Sequence, residues 1–226
     1  MVDLNSSAIN RFIEAVKNGA EEAASAFART FDVTITIQPG SGGEFQGDVL
    51  SSKITGKGLA MLLTVGGQGI AILIPDSTGL IPSWCDKPDA TGKSKLSTFA
   101  QEWGMNLMPE DFFPEDFQAA VLRDLMQGVY RGQPAWESAC LELTIGKPDK
   151  SSKTIYMVWP LTEPNQFLSE EAKNEETVIP GPPRFSSGES NLIGAGVPKL
   201  DPFVGQDFDG FQGKNRSVDD LPGFSR

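Results

Sequence analysis

The 226-residue chain contains no histidine. Its absence removes the commonest general base and metal ligand of proteins, and with them every Ser-His-Asp or Cys-His catalytic arrangement. The two cysteines, Cys85 and Cys140, are too few for a disulfide framework, and both lie among apolar residues. We interpret them as small buried hydrophobic residues of a protein in a reducing compartment. We therefore predict no zinc site, no other metal and no cofactor.

Basic residues are also scarce. The chain has 19 Lys and Arg against 30 Asp and Glu, for a net charge of −11. Proteins that bind nucleic acid or anionic membranes need basic patches, so the charge argues against both classes. The longest apolar runs, residues 59–65 and 70–75, are too short to span a bilayer. The N-terminus lacks the pattern of a signal peptide, so a cytoplasmic protein is expected.

Hydrophobic periodicity indicates an α+β fold. Apolar residues at spacings of three and four predict an amphipathic helix over residues 5–31, and Gly19 within it indicates either a kink or the close approach of another backbone. Strands followed by helices and further strands are typical of a mostly antiparallel sheet covered by long helices. The remaining helices are predicted after Pro75, over 96–107 and over 114–129, and the strands over 33–37, 45–50 (weakly), 58–65, 70–74, 139–145 and 155–159.

Glycine and proline mark the predicted turns. The segment 66–69 (GGQG) predicts a hairpin turn with positive φ angles, and the segment 39–43 (PGSGG) is expected to end the first strand. Residues 86–93 are predicted to form a polar loop, with a serine capping the helix that follows.

The composition changes after residue 162. Residues 163–226 contain seven prolines and eight glycines and show no apolar period. Such a segment cannot bury enough apolar surface to offset its chain entropy. We predict an α+β domain over residues 1–162, followed by an acidic, disordered linker over 163–226. The alternative for Phe203, Phe208 and Phe211 is a short motif that folds on binding a partner.

Two features of the sequence resemble a phosphate-binding loop and a catalytic carboxylate pair, but neither has the residues or the spacing that such a site requires. Gly92-Lys93-Ser94 has the ending of a phosphate-binding loop, but position 87 is a lysine where that loop needs glycine. The acidic pairs Glu21-Glu22 and Glu115-Asp116 are adjacent, so their side chains point to different helix faces and cannot form a catalytic pair.

The first helix resembles the signature helix of the CheC family, which includes chemotaxis phosphatases and the middle domain of flagellar switch proteins. Glu14 matches the family glutamate, and Pro39 lies 22 residues after position 17, as in the family. However, Lys17 replaces the asparagine of the phosphatases, and Asn10 stands where they have Asp or Ser. That asparagine is thought to orient the water that attacks an aspartyl phosphate. A lysine ammonium only donates hydrogen bonds, so Glu14, Lys17 and Pro39 are family-equivalent positions and no catalytic residue is expected.

The last six residues, Leu221–Arg226, resemble the segment that precedes the C-terminal β-domain of FliN-type flagellar switch proteins. Together, the two resemblances imply that this chain is the N-terminal part of a FliN-type protein. It would contain the CheC-like region, which is related to CheC, the FliM middle domain and FliY, and the linker that follows it, but not the β-domain.

Several functional expectations follow from this resemblance. It implies a non-enzymatic component of the rotor ring that switches flagellar rotation in chemotaxis, located in the cytoplasm at the flagellar basal body. The expected partners are other flagellar switch proteins and a CheY-type response regulator. Two alternatives stay open, namely a CheC-type phosphatase that uses Glu14 with a non-standard partner and an unrelated α+β adaptor domain.

Overall fold

The computed structural model describes residues 4–169. The segment from residue 170 onward, which holds most of the predicted linker and the whole of 221–226, lies outside the described residues. The helices are α1 (Ile9–Phe31), α2 (Gly47–Lys53), α3 (Ala90–Leu107), α4 (Leu125–Arg131) and α5 (Pro164–Phe167). The strands are β1 (Thr36–Glu44), β2 (Gly58–Val65), β3 (Gln68–Pro75), β4 (Asp116–Leu122), β5 (Pro134–Gly146) and β6 (Ser152–Leu161), and 3-10 turns occupy Ser6–Ala8, Asp76–Thr78 and Ser83–Asp86.

The described strands form one six-stranded sheet in the order β1-β5-β6-β3-β2-β4. Every neighbouring pair is antiparallel, which confirms the predicted α+β class. The helices α1 and α3 pack on one face of the sheet, and α2, α4 and α5 pack on the other. Both faces are therefore covered, which explains why β2 and β3 are buried along almost their whole length.

The element order repeats within the chain. The series α1-β1-α2-β2-β3 is followed by α3-β4-α4-β5-β6. In this repeat β1 corresponds to β4, β2 to β5 and β3 to β6. Exchanging the corresponding strands gives the same sheet order read from the other edge, so the two halves are related by a pseudo-two-fold axis between β3 and β6. This symmetry makes α1 and α3 equivalent elements and sets them side by side on one face.

The most strongly patterned elements were predicted correctly. The helix predicted over 5–31 is α1 with its preceding 3-10 turn, and its buried residues Phe12, Val16, Phe27 and Phe31 follow the expected apolar face. The β2–β3 hairpin turns at Gly66 and Gly67, whose φ angles are +56° and +78° as the glycine-rich turn predicted. Among residues 4–169, none of the helices combines the length and the hydropathy that a membrane span requires.

Several element predictions were wrong. The helix predicted after Pro75 is replaced by the two 3-10 turns that follow β3. The segment 39–43 does not end the first strand, because β1 passes through it with a register shift between Pro39 and Gly42. As an edge strand, β1 tolerates a proline that lacks a donor and glycines that form a bulge. Residues 45–50 lead into α2 instead of forming a strand, and this helix has Asp48 in its first turn and Lys53 in its last, which suits the helix dipole.

Residues 114–129 form β4 and then α4 instead of one helix. Asp124 separates the two elements, since its side chain accepts a hydrogen bond from the Gln127 N–H at 3.0 Å and caps α4. The polar loop predicted up to Lys93 is also shorter than expected. Here Asp89, and not a serine, caps α3 by accepting from the Gly92 N–H at 2.7 Å.

The folded region extends past the predicted domain boundary at residue 162. Helix α5 follows β6, and Phe167 is fully buried against α4 and the sheet. The first residues of the predicted linker therefore contribute to the core.

Candidate interaction site

Helices α1 and α3 are antiparallel and closely packed. Gly19 of α1 faces Asn106 near the end of α3, whereas Phe27 packs against Phe99, nearer its start. A Cβ atom added at Gly19 would lie 1.8 Å from the carbonyl oxygen of Asn106, so only glycine fits this approach. Of the two explanations for Gly19, a kink or the close approach of another backbone, this contact supports the second. The Nε1–H of Trp103 also donates to the carbonyl of Ala23 at 2.9 Å and ties the two helices together.

A groove of about 760 Å³ opens where the N-terminal half of α1 passes the C-terminal end of α3. One wall is a polar row on α1 whose members are four residues apart and therefore share one face of the helix. The opposite wall is the last part of α3 and the loop after it. The α1 row consists of Asn10, Glu14, Asn18 and Glu22, and the opposite wall includes Met105, Asn106, Met108 and Glu110.

Glu14 and Lys17 form an ion pair on the exposed surface of α1. The Lys17 Nζ lies 2.7 Å from the Glu14 Oε1, and the two side chains are 53% and 64% exposed. A solvated pair three residues apart on a helix contributes only about 0.2–0.5 kcal/mol. A partner that offers a stronger contact to either residue can therefore separate the pair at little cost.

Arg11 fixes the loop that follows α3. Its guanidinium forms an ion pair with Asp111 and lies 4.7 Å from the ring centroid of Phe112. Phe112 is itself buried against Phe12. The groove therefore has a wall that is attached to the core of the domain.

The structure brings together two of the three family-equivalent positions. Glu14 lines the groove and Lys17 is bonded to it. Pro39 lies in β1, opposite Leu143 of β5, and is not among the described residues that line the groove. The functional roles of these positions remain predictions.

Two amide side chains in the groove were missed as candidates. The family pattern points to neither residue, because Asn18 is adjacent to position 17 and Asn106 belongs to α3. Nevertheless, both line the groove beside Glu14. The Nδ2–H of Asn106 donates to the Glu102 carbonyl at 2.9 Å, which leaves its Oδ1 available as an acceptor. The signal for Asn18 was present in the sequence as the four-residue spacing from Asn10 to Glu22.

A second polar cluster joins β1, α2 and β5. The Glu142 carboxylate accepts hydrogen bonds from the Lys53 Nζ at 2.6 Å and from the Ser41 hydroxyl at 2.6 Å. The bond from Lys53, followed by that from Ser41, lowers the pKa of Glu142, and the same pairing raises the pKa of Lys53. This cluster holds the bulged edge strand to its neighbours and has no feature of a catalytic pair.

Neither cysteine has the lowered pKa of a reactive thiol. Burial raises the pKa of Cys85 to about 11 and that of Cys140 to about 12, so both thiols stay protonated near neutral pH. Within residues 4–169, no three His, Cys, Asp or Glu side chains are grouped closely enough to hold a metal ion.

Several solved structures with a similar fold are flagellar switch proteins. Thermotoga maritima FliY superimposes with a TM-score of 0.45 at 11% identity, over 73% of this chain and 95% of that one. FliM in a FliG–FliM complex from H. pylori scores 0.45 at 12% identity, over 73% and 98%. FliM in a FliM–SpeE complex from H. pylori scores 0.46 at 14% identity, over 76% and 98%.

These neighbours are the FliM middle-domain and FliY structures to which the sequence resemblance pointed. Neither a protein-family model nor a curated protein matches the sequence. Because the identities and TM-scores are this low, we base the functional proposal on the residues of this chain.

Proposed function

We propose that this chain is the CheC-like region of a flagellar motor switch protein and that it acts by binding other proteins through the α1–α3 groove. The observation that carries the proposal is the exposed groove itself, on the helix whose sequence resembles the CheC signature. Met105 is 68% exposed at its rim although it is a large apolar residue. An exposed apolar side chain beside charged and amide groups is typical of a protein-binding surface.

The ion pair of Glu14 favours a binding role over catalysis. In a CheC-type phosphatase the residue at position 17 would have to accept a hydrogen bond from the attacking water, and the Lys17 ammonium cannot do so. Lys17 instead engages the Glu14 carboxylate directly. The groove is therefore proposed to recognise a partner through charge and shape.

The proposed partners are a FliG-type switch protein and a CheY-type response regulator. The first is suggested by the H. pylori FliM that was solved with FliG, and the second by the resemblance of α1. We place the protein at the cytoplasmic side of the flagellar basal body, where both partners would be available.

Binding is tested with two matched substitutions on opposite faces of the sheet. Met105→Glu places a charge at the rim of the groove, whereas Val49→Glu makes the same change on α2, where Val49 is 47% exposed. We expect Met105→Glu to weaken binding to the FliG-type protein or to the regulator by about tenfold or more, as for a hot-spot residue. Val49→Glu is expected to change the dissociation constant less than about twofold.

Isothermal titration with both purified partners measures these effects, and circular dichroism checks that each variant is folded. Two results would refute the proposed surface. One is the absence of binding to either partner, and the other is binding that is weakened by Val49→Glu but not by Met105→Glu.

A CheC-type phosphatase remains the second candidate, and the position of Asn18 favours it. Asn18 lines the groove four residues after Glu14, and its amide oxygen could accept a hydrogen bond from water where Lys17 cannot. The test is dephosphorylation of a phosphorylated CheY-type regulator. We expect no acceleration by the wild-type chain, and acceleration that disappears in Glu14→Gln and Asn18→Ala would establish the phosphatase instead.

A further inference from the structure

The two edge strands of the sheet are built differently. The edge of β1 is interrupted by Pro39 and by the register shift between Pro39 and Gly42, which are features that hinder pairing with another strand. In contrast, β4 pairs with β2 from Asp116 to Leu122 without a register shift. Its sequence contains neither proline nor glycine, and its only charged residue is Asp116. In the part of the sheet that residues 4–169 form, β4 is therefore the edge that suits pairing with another strand.

The backbone groups of alternate β4 residues point to this free edge. The N–H of Phe117 donates to the Oδ1 of the neighbouring Asp116 at 2.9 Å, so it points away from β2. N–H and C=O groups alternate between the two sides of a strand, so those of Ala119 and Val121 point outward as well. The β2–β3 hairpin indicates the same alternation. Its two-residue turn makes the closing pair a hydrogen-bonded one, which leaves the even-numbered residues of β2 to bond with the even-numbered residues of β4.

The outward backbone groups of β4 are complementary to those of a second β4. When two copies meet edge to edge in antiparallel register about a two-fold axis at Ala119, residues equally far from Ala119 face each other. Ala119 then pairs with its counterpart, and Phe117 pairs with Val121. Such pairs exchange both N–H···O=C bonds, so all three outward residues gain partners. A register shifted by two residues instead sets Val121 opposite Glu115, whose N–H already donates to the Thr64 carbonyl at 2.7 Å.

The same register matches the apolar side chains. Facing residues of a sheet place their side chains on one face, and Phe117, Ala119 and Val121 all pack toward the layer of α1 and α3. The ring of Phe117 therefore meets the β-branched Val121 of the other copy on each side of the axis, which is a favourable cross-strand pair. All three side chains are only partly buried in a single copy, so this pairing removes further apolar surface from water.

Opposite charges face each other at both ends of the paired strands. Glu115 directly precedes β4 and Arg123 directly follows it, and both residues are exposed. The two residues lie equally far from Ala119 along the chain. In the antiparallel register Glu115 of each copy therefore faces Arg123 of the other, and the two-fold axis produces this ion pair twice. This charge complementarity identifies a second copy of the chain as the occupant of the edge.

We propose that two copies of this chain associate through β4 and form one continuous sheet. A groove of about 530 Å³ follows this edge between Leu96 of α3 and Leu168, which follows α5. The joined strands therefore lie between helical layers on both faces. Among the described residues, those that line this groove differ from those of the α1–α3 groove, so the dimer leaves the proposed partner-binding surface open. The dimer goes beyond the proposed function and does not depend on it.

Sedimentation equilibrium of the full chain tests the dimer between about 1 μM and about 500 μM, which brackets the affinity expected of a small interface. We expect a monomer–dimer equilibrium in the wild type. Ala119→Pro should weaken the dimer at least about tenfold, because it removes an outward N–H at the two-fold axis from both copies without removing a bond to β2. Circular dichroism checks that the variant is folded.

Charge reversal tests the register without changing the backbone. Glu115→Arg sets two arginines opposite each other, and Arg123→Glu sets two glutamates opposite each other, so each variant alone should dimerise about tenfold more weakly. An equimolar mixture of the two variants should dimerise about as strongly as the wild type, since every facing pair again has opposite charges. Glu21→Arg is the matched control and should change nothing, because Glu21 lies on α1 beside β1, at the opposite edge of the sheet.

Three results would overturn the proposal. The first is a monomer over the whole concentration range; protected amides of Ala119 and Val121 in that monomer would assign the edge to another segment of the same chain. The second is a dimer that Ala119→Pro and both charge reversals leave unchanged, which would place the contact elsewhere. The third is a mixture of the reversed variants that dimerises no better than either variant alone.

Discussion

Replacing Gly19 with alanine tests the close contact between α1 and α3. The new Cβ would lie 1.8 Å from the Asn106 carbonyl oxygen, whereas real Cβ atoms essentially never approach within 3.0 Å of a neighbouring atom. The obstacle is backbone, which cannot rotate away, so the helices must separate locally by more than about 1 Å. Overpacking of this kind costs about 3 kcal/mol at the upper end of its range, and the better helix propensity of alanine offsets about 1 kcal/mol. The expected net loss of stability is about 2 kcal/mol.

Equilibrium unfolding in urea measures this loss. With a slope of about 2 kcal/mol per molar urea, the midpoint should fall by about 1 M while the slope stays constant. Gly43→Ala is the matched control, because a Cβ at Gly43 would meet no atom within 4 Å, and its effect should stay within about 0.5 kcal/mol. A Gly19→Ala variant as stable as the wild type, or more stable, would refute the contact, since helix propensity would then be the only effect.

Three further perturbations address the core, the charged cluster and the thiol. Trp103→Phe should cost about 2 kcal/mol in urea unfolding, because it creates a void and removes the hydrogen bond to the Ala23 carbonyl; an unchanged midpoint would contradict this bond. Because hydrogen bonds from Lys53 and Ser41 lower the pKa of Glu142 below its ordinary value of 4.5, the carboxylate contributes stability above that pH. The advantage of wild type over Glu142→Gln should therefore be present at pH 7 and disappear as pH falls through the folded pKa, whereas parallel stability curves from pH 7 to pH 3 would argue against it. The buried Cys85 should react with a maleimide at pH 8 at least about 100-fold more slowly in the folded than in the unfolded protein, and rapid labelling of the folded protein would contradict its burial.

The elements predicted correctly are those whose own residues determine them. Helix α1 has an apolar face over its whole length, and the β2–β3 hairpin has glycines where positive φ is required. The errors arose where the position in the sheet decides the outcome. The proline and glycines of residues 39–43 would interrupt a central strand, but β1 is an edge strand and accommodates them in a bulge.

The candidate groove could be predicted only from its α1 side. Glu14 and Lys17 follow from the resemblance of one helix, and the four-residue spacing also marks Asn18. Asn106 and Met105 belong to a different helix and lie about 90 residues after Glu14 and Asn18, and no local pattern links them to α1. Their position depends on the backbone approach at Gly19, which is a tertiary contact. The sequence indicated that approach without indicating its partner.

The pseudo-two-fold arrangement has a consequence for how the chain can fold. Each half gives its first strand to the hairpin of the other half, since β1 pairs with β5 and β4 pairs with β2. Thr36 must find Gly146, and Glu44 must find Ala139, so β1 has no partner until most of the domain has been synthesised. Long-range pairing of this kind slows folding, because the chain loses entropy in closing a long loop before the stabilising strand contacts form. Neither half can therefore be expected to fold alone during translation, and a ribosome must release nearly the entire domain before its sheet can close.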